Sequence, residues 1–292
     1  MLIIGCNKNK GLNSMVKVCA YCNSSSGKLT GEHIYPNGLI SKFPEFDHAF
    51  LEDKKGEPGE KKAIPLSPSK QVVNDVCEKC NNDILGKLDD YGNDFILKYF
   101  SEDISKNEEK SIEYNHLILS KWVMKILYNG MRKEESSNWL RRNAKYMIGE
   151  SSESTSKYSL FLGSYVQLTD IGALPFEVAA NLPIFLTGKQ FGKDLELYKN
   201  ENVEATYYLR LMNAIFILVC WKENKWDSKE EEELIEILPH SILKENQNSA
   251  VIIRATDSLN SSHPYFVSSK RAQSENDKIM KMMSGFGFLK KH

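Results

Sequence analysis

The sequence lacks a long hydrophobic run and an excess of charge of one sign. Its most apolar stretch, Ala214 to Trp221, is far shorter than the ~20 residues that cross a bilayer, so a polytopic membrane protein is excluded and the stretch is interpreted as a buried strand. Lys and Arg number 38 against 39 Asp and Glu, a net charge of -1. Because neutralisation of phosphates drives nucleic-acid binding, this balance argues weakly against a DNA partner, and only a local site would overturn it.

The amino terminus also lacks the marks of a secretory signal. It has no basic segment and too short an apolar stretch, although Ile3 to Cys6 faintly resembles a lipoprotein cleavage site. We therefore expect a cytoplasmic protein. The 13 Phe, 13 Tyr and 4 Trp exclude a chain that is disordered throughout. A length of 292 residues predicts two domains, or one domain with an elaboration.

Four of the six cysteines form two identical spacings, Cys19-Ala-Tyr-Cys22 and Cys77-Glu-Lys-Cys80. In a reducing cytosol, paired CxxC elements are typical of thiolate ligands, and two such knuckles complete the four-sulfur shell of structural zinc. A disulfide or redox motif is the alternative, but a thioredoxin-like site would need only one CxxC. Cys6 and Cys220 have no partner at a useful spacing and are interpreted as incidental or core cysteines.

Polar residues follow each knuckle. In the strand-like run LTGEHIYP, Glu32 directly precedes His33, while Asn81-Asn82 opens a segment with helical apolar spacing at 84, 85 and 88. Considered alone, Glu32-His33 would be interpreted as a pair of surface residues and Asn81-Asn82 as a helix cap. Both adjoin the halves of one expected zinc site, so we expect them to converge. The knuckles are farther apart than the roughly 15 to 20 residues of common zinc ribbons, which predicts further structure between them.

The ordered set CxxC, GEHIxP and VCxxCNN followed by LxxLD resembles the HNH nucleases of the ββα-metal, or His-Me finger, superfamily, in the variant whose final histidine is asparagine. The resemblance covers about residues 17–100. It implies that His33 is the general base that deprotonates the water attacking phosphorus, a task suited to imidazole because its ordinary pKa lies near 6.5. It also implies that Glu32, in place of the usual aspartate, and Asn81 hold one catalytic divalent ion. Such oxygen donors fit Mg²⁺ or Mn²⁺.

Some positions depart from this pattern or stay open. The middle Asn of the motif has only an imperfect counterpart in Asn74, which lies nearer the second knuckle than usual. Asn82 competes with Asn81 as catalytic ligand, because Asn82 shares one helix face with Asp89. Asp89 is a further ligand, a partner of the site residues or an exposed helix residue. The remaining histidines are interpreted as ordinary surface or partly buried residues: His48, His116, His240, His263 and His292.

Between the motifs, residues 43–70 are rich in Pro, Gly and Lys. Apolar segments at 49–51 and 63–66 predict a hairpin with a flexible tip. Four lysines near this tip could contact phosphates, but neighbouring acidic residues cancel their charge, so a solvated loop is the alternative. These lysines are Lys54, Lys55, Lys61 and Lys62.

The predicted fold class is α+β, with an HNH nuclease module at 1–105 and a mixed α/β C-terminal region of unknown fold and function at 106–292. The charged segment 101–113 is interpreted as a helix extension or a boundary. Beyond it we predict an amphipathic helix at 115–132, a loop at 149–157, strands at 158–168, 175–187, 203–221 and 249–255, and helices at 229–238 and 276–283. This region has no Walker loop, Ser-His-Asp arrangement, further ligand cluster or internal repeat.

The leading hypothesis is a metal-dependent endonuclease that cuts DNA, with RNA left open as a substrate and with structural Zn²⁺. Bacterial restriction or anti-phage defence is suggested by analogy alone. The alternatives are a catalytically inactive zinc module that binds nucleic acid, and a sensor or interaction protein dominated by its C-terminal region. Because the net charge is near zero, we expect weak non-specific DNA binding and an activity that depends on recruitment, through a homodimer or a recruiting protein partner and not through a membrane.

Overall fold

The structure, a computed structural model, describes residues 17–42, 50–53, 62–65, 72–101, 108–133, 135–164, 184–186, 200–211, 214–237 and 240–253. The predicted helix at 276–283, the tip of the predicted hairpin and Cys6 lie outside these residues. The described chain mixes helices and strands, in agreement with the α+β prediction.

The described residues up to Phe100 form two antiparallel strand pairs and a long helix. Their bounds are β1 (Leu29–His33), α1 (Asn37–Ile40), β2 (Phe50–Asp53), β3 (Lys62–Pro65), β4 (Val72–Cys77), a π-helical segment (Lys79–Leu85) and α2 (Gly86–Phe100). β1 pairs with β4, and β2 pairs with β3 as the hairpin predicted between the motifs. The helical stretch after the second knuckle begins earlier and runs longer than the apolar spacing at 84, 85 and 88 indicated.

The described residues after Ser101 form a five-stranded sheet, a further strand pair and several helices. Their bounds are β5 (Glu109–Glu113), α3 (His116–Met131), a 3₁₀ turn (Glu135–Ser137), α4 (Asn138–Arg142), α5 (Ala144–Met147), β6 (Tyr158–Ser164), β7 (Ile184–Leu186), β8 (Val203–Leu211), β9 (Ala214–Trp221), α6 (Ser228–Ile237), β10 (Ser241–Leu243) and β11 (Ser249–Ile253). The sheet has the order β10-β6-β9-β8-β7 with antiparallel neighbours.

One strand prediction for this region was wrong, and so was one of the two interpretations of the charged segment 101–113. The segment predicted as one strand over 203–221 is two strands, β8 and β9, which pair with each other, because the chain folds back and both strands are buried in the sheet. The end of the charged segment 101–113 is not a helix extension. Residues 109–113 form β5, which pairs with β11, because Ile112 points into the core while Ser111 and Glu113 on either side of it are exposed.

Helix α3 packs against both α2 and the large sheet. Trp122 of α3 packs against Gly92 of α2 so closely that a Cβ atom at Gly92 would lie 2.0 Å from Trp122 Cε2, and its ring also meets Phe216 of β9 edge-on at 6.2 Å. Residues of the cysteine knuckles, α2, α3 and the sheet therefore belong to one buried core. That core crosses the predicted boundary at 105/106. Among the described helices, none combines the length and the apolar character that a bilayer span requires.

Candidate functional site

The four cysteines of the two knuckles form one cluster. Their Sγ atoms all lie within 4.8 Å of one another, and Cys22 Sγ is 3.7 Å from Cys77 Sγ. Sulfurs that each lie ~2.3 Å from a tetrahedral zinc are about 3.8 Å apart. The cluster therefore has the ligands and the spacing of a metal site such as zinc, and its cysteines are free thiols, not the disulfides of the alternative interpretation.

Main-chain hydrogen bonds hold the first knuckle against β4. Ala20 N donates to Asp75 O at 2.8 Å, and Cys77 N donates to Cys19 Sγ at 3.3 Å. Burial raises the pKa of the Cys19 thiol, but main-chain N–H groups of Cys77 and of the first knuckle outweigh burial and lower that pKa from 9.0 to about 7. Because the metal ligand is the thiolate, these donors favour the form that binds metal.

Asn81, in the first turn after the second knuckle, contacts β1 directly. Its Nδ2 donates to Thr30 Oγ1 at 2.9 Å and to Gly31 O at 3.0 Å. Within the described part of the chain, its Oδ1 has no hydrogen-bond partner. Asn82 is exposed and makes no hydrogen bond to β1. The two candidate asparagines therefore differ, because only Asn81 is hydrogen-bonded to the strand that contains Glu32 and His33.

Glu32 points into the protein and is 5% exposed. Lys125 Nζ of α3 lies 2.5 Å from its Oε1, and Asn129 Nδ2 lies 3.4 Å from the same oxygen. Burial raises the pKa of Glu32, and the nearby Lys125 ammonium opposes that rise. The carboxylate is thus already paired with a cation from the C-terminal region.

His33 is the last residue of β1 and is partly buried. Its main-chain oxygen accepts a hydrogen bond from Asn129 Nδ2 at 3.0 Å. Its imidazole makes no hydrogen bond to any residue that the structure describes. Among the described residues, none occupies either ring nitrogen.

Asp89 contacts the same lysine as Glu32 and is not an exposed helix residue. Both of its carboxylate oxygens contact Lys125 Nζ, at 2.8 and 2.7 Å, and its Oδ1 accepts from Trp122 Nε1 at 3.2 Å. Burial raises the pKa of Asp89, with Lys125 opposing the rise. Of the three alternatives, the geometry matches a partner of the site residues, since Lys125 joins Asp89 to Glu32.

Asn74, the imperfect counterpart of the middle motif asparagine, lies on β4 beside the irregular pairing of β1. A Cβ atom at Gly31 would lie 3.1 Å from Asn74 Oδ1, so the Asn74 side chain packs closely over Gly31. Asn74 therefore lies opposite the part of β1 that precedes His33.

The other candidates are separate from this cluster. His116 and His240 are buried, more so than the sequence suggested, and Cys220 is a core residue of β9, as expected. The tip lysines lie outside the described residues, except for the main chain of Lys62, which begins β3. The histidines at 48, 263 and 292 also lie outside them.

Several residues of the site were not identified from the sequence: Tyr21, Lys125, Asn129 and Arg132. The last three recur at i, i+4 and i+7 in and just after α3, whose other residues are largely apolar and buried. That spacing places polar groups on one stripe of a buried helix, where they require partners. The stripe was a usable signal, but it does not identify the partners, which come from distant parts of the chain.

A further open cavity of about 1110 Å³ lies elsewhere, lined by Tyr146, Tyr158 and Trp226 among others. His116 also lines it and stacks on Tyr158, with ring centroids 5.9 Å apart. Burial lowers the pKa of His116, although the carboxylates of Glu245 and Glu231 partly offset this effect. The cavity includes none of the predicted catalytic or metal residues.

Comparison with known proteins assigns no family to this arrangement. The chain matches no protein-family model, no curated protein and no solved structure.

Proposed function

We propose that this protein is an HNH-type endonuclease that hydrolyses phosphodiester bonds of DNA with one divalent ion. The observation that supports this most strongly is the bond from Asn81 to β1. It joins the residue after the second cysteine knuckle to the strand that ends in Glu32-His33. The motif resemblance implies two paired strands followed by a helix. Here β1 pairs with β4, and the second cysteine knuckle lies where β4 ends and the helical segment begins.

In this proposal His33 is the general base. Its imidazole makes no hydrogen bond to a described residue, which supports a role in accepting a proton from a water molecule, and an imidazole in such a role contributes roughly 10²- to 10⁴-fold to rate. Asn81 holds β1 through its amide nitrogen and offers Oδ1 to the ion. Glu32 contacts Lys125 and Asn129 through Oε1, so we assign Oε2 to the ion.

Oxygen donors of this kind suit Mg²⁺ or Mn²⁺, which when bound would stabilise negative charge on the phosphate and on the leaving 3′ oxygen. The four cysteines would hold structural Zn²⁺ and have no part in the reaction. A net charge of -1 provides no general attraction for DNA, so we also propose that cleavage depends on local lysines and on recruitment by a partner or a second copy. A cytoplasmic role in defence stays a hypothesis by analogy.

Plasmid cleavage with Mg²⁺ or Mn²⁺ tests the proposal. Wild type is expected to nick or linearise the plasmid, and His33→Ala to be slower by about 10²-fold or more. Asn81→Ala is expected to lose most activity, with the neighbouring Asn82→Ala as its control, since Asn81 is hydrogen-bonded to β1 and Asn82 is exposed. Equal activity of His33→Ala and wild type would contradict the assignment of the base.

The burial of Glu32 favours one second candidate, a zinc module that binds nucleic acid without cutting it. A carboxylate paired with Lys125 has less capacity to bind an external ion, because the ammonium already neutralises it. This candidate predicts retained DNA binding in a gel-shift assay and no cleavage with Mg²⁺, Mn²⁺, Co²⁺ or Ni²⁺. Cleavage with any of these ions that depends on His33 excludes it.

A further inference from the structure

Asn129 of α3 is 2% exposed, and both ends of its amide are hydrogen-bonded. Its Nδ2 donates to His33 O at 3.0 Å and approaches Glu32 Oε1 at 3.4 Å. Its Oδ1 accepts from Tyr21 OH at 2.7 Å and also from Arg132. The Asn129 amide therefore has a single orientation that satisfies all of its neighbours.

These neighbours come from separate parts of the site. Tyr21 belongs to the first cysteine knuckle and is fully buried. Arg132 pairs with Asp75 of β4 at 2.5 Å and lies over the Tyr21 ring, with its guanidinium carbon 5.5 Å from the ring centroid. The neutral side chain of Asn129 thus links Tyr21 of the first knuckle to His33, the last residue of β1. Arg132 in turn links Asn129 to β4.

We infer that Asn129 is a positioning residue for His33, an inference that rests on the proposed nuclease function. Its hydrogen bond to His33 O restrains the peptide that follows His33, and this restraint sets the direction in which the His33 side chain leaves the strand. Asn129 does not touch the imidazole, so it acts through the main chain. The C-terminal region thereby contributes to the catalytic site, although the motif ends near residue 100.

The uncharged amide suits this role. A lysine or arginine at this position would compete for the Glu32 carboxylate, and a carboxylate would repel it. Asn129 donates to the His33 carbonyl while adding no charge beside Glu32. Removal of the amide would leave the His33 oxygen, the Tyr21 hydroxyl and Arg132 with one partner fewer, and residues that orient a ligand in this way typically change activity or metal affinity by about 10- to 100-fold.

The first measurement is the NMR chemical shift of the His33 carbonyl carbon. His33-Ile34 is the only His-Ile step in the sequence, so a protein labelled with carbonyl-¹³C histidine and ¹⁵N isoleucine gives one carbonyl-to-amide cross-peak. Asn129→Leu keeps the approximate size of the side chain and removes its hydrogen bonds. We expect the His33 carbonyl resonance to shift in this variant.

Asn143→Leu is the matched control. Asn143 is also fully buried and hydrogen-bonded at both ends, to Trp139 O at 2.8 Å and to Thr155 at 2.7 and 3.0 Å, but these partners all lie in the C-terminal region. We expect Asn143→Leu to leave the His33 cross-peak in place. Tyr21→Phe, which removes only one hydroxyl, provides a milder test if Asn129→Leu does not fold.

The second measurement is plasmid cleavage at saturating DNA and ion. Asn129→Leu is expected to lower kcat about 10- to 100-fold and Tyr21→Phe about 2- to 10-fold, with zinc content unchanged, whereas Asn143→Leu is expected to cleave like wild type. An Asn129→Leu protein that cleaves like Asn143→Leu overturns the inference, as does an unmoved His33 carbonyl resonance. If wild type does not cleave but the resonance shifts, the proposed function fails while the restraint on the His33 peptide stands.

Discussion

The ammonium group of Lys125, which has no exposed surface, lies 2.5 Å from the carboxylate of Glu32. Lys125 belongs to α3, and Glu32 belongs to the strand beside the first knuckle. Asp89 of α2 contacts the same ammonium at 2.7 Å, so one cation is shared by two carboxylates. Removal of one member of a buried ion pair costs more than the pair contributes, because the remaining charge has lost its partner.

Lys125→Met is therefore expected to destabilise the protein strongly. It would leave Glu32 and Asp89 buried without a cation, and losses in such cases are about 3–5 kcal/mol. Urea unfolding followed by circular dichroism measures the change. Lys98→Met is the control, because Lys98 pairs with Glu113 at 3.4 Å on the surface, where both side chains are exposed, and it is expected to change the free energy of unfolding little. Similar losses in both variants would contradict the buried ion cluster.

Gly92→Ala tests the close contact between α2 and α3. The added methyl would overlap the Trp122 ring, so the two helices must separate, and overpacking of this kind costs about 1–3 kcal/mol or more. Gly86→Ala is the control in the same helix, because its nearest contact would be an ordinary 3.6 Å to Asn81 O and alanine is the better helix former. We expect a lower melting temperature for Gly92→Ala and an equal or higher one for Gly86→Ala. The reverse order would disprove the packing described for these helices.

Cys77→Ser is expected to abolish stoichiometric metal binding and to loosen the amino-terminal part of the protein. Three thiolates and a hydroxyl form a poorer zinc site, and structural zinc contributes about 10–16 kcal/mol of apparent binding energy in small zinc modules. Cys220→Ala, which changes a buried cysteine of β9 outside the cluster, is expected to retain one zinc per chain. Metal analysis and thermal melting of the two variants provide the comparison. Full zinc content in Cys77→Ser would refute the four-cysteine site.

His116 is expected to make stability fall with acid. Its pKa is below the ordinary 6.5 because burial disfavours the charged ring. Between that lowered value and 6.5 the unfolded chain binds a proton that the folded chain does not, so this contribution is complete above about pH 6.5 and is lost as the pH falls. His116→Gln should reduce the slope of unfolding free energy against pH in this window, where one proton accounts for at most about 1.4 kcal/mol per pH unit. An unchanged slope would remove His116 from this role.

Much of the local structure follows from spacing alone. The amphipathic period predicted α3 within one residue at each end, and alternating and apolar runs indicated β6, β8, β9 and β11. The lengths of the strands were harder to predict, because residues 203–221 are rich in strand-forming residues throughout and contain no Gly or Pro that would mark the turn between β8 and β9. Residues 109–113 were missed as a strand because most of their side chains are charged, and their partner is far away in sequence.

Some features of the candidate site also followed from the sequence, and others did not. Two CxxC spacings by themselves determined which cysteines would meet, because a tetrahedral metal site requires four ligands and each knuckle supplies two. The sequence also identified Glu32, His33 and Asn81 as residues that adjoin this cluster. Only the tertiary structure decided that Asn81 and not Asn82 is hydrogen-bonded to β1, and that Glu32 is buried against Lys125. The physical reason is that hydrogen bonds and ion pairs between distant segments depend on how α3 packs against α2 and the sheet, and that packing has no local signature in the chain.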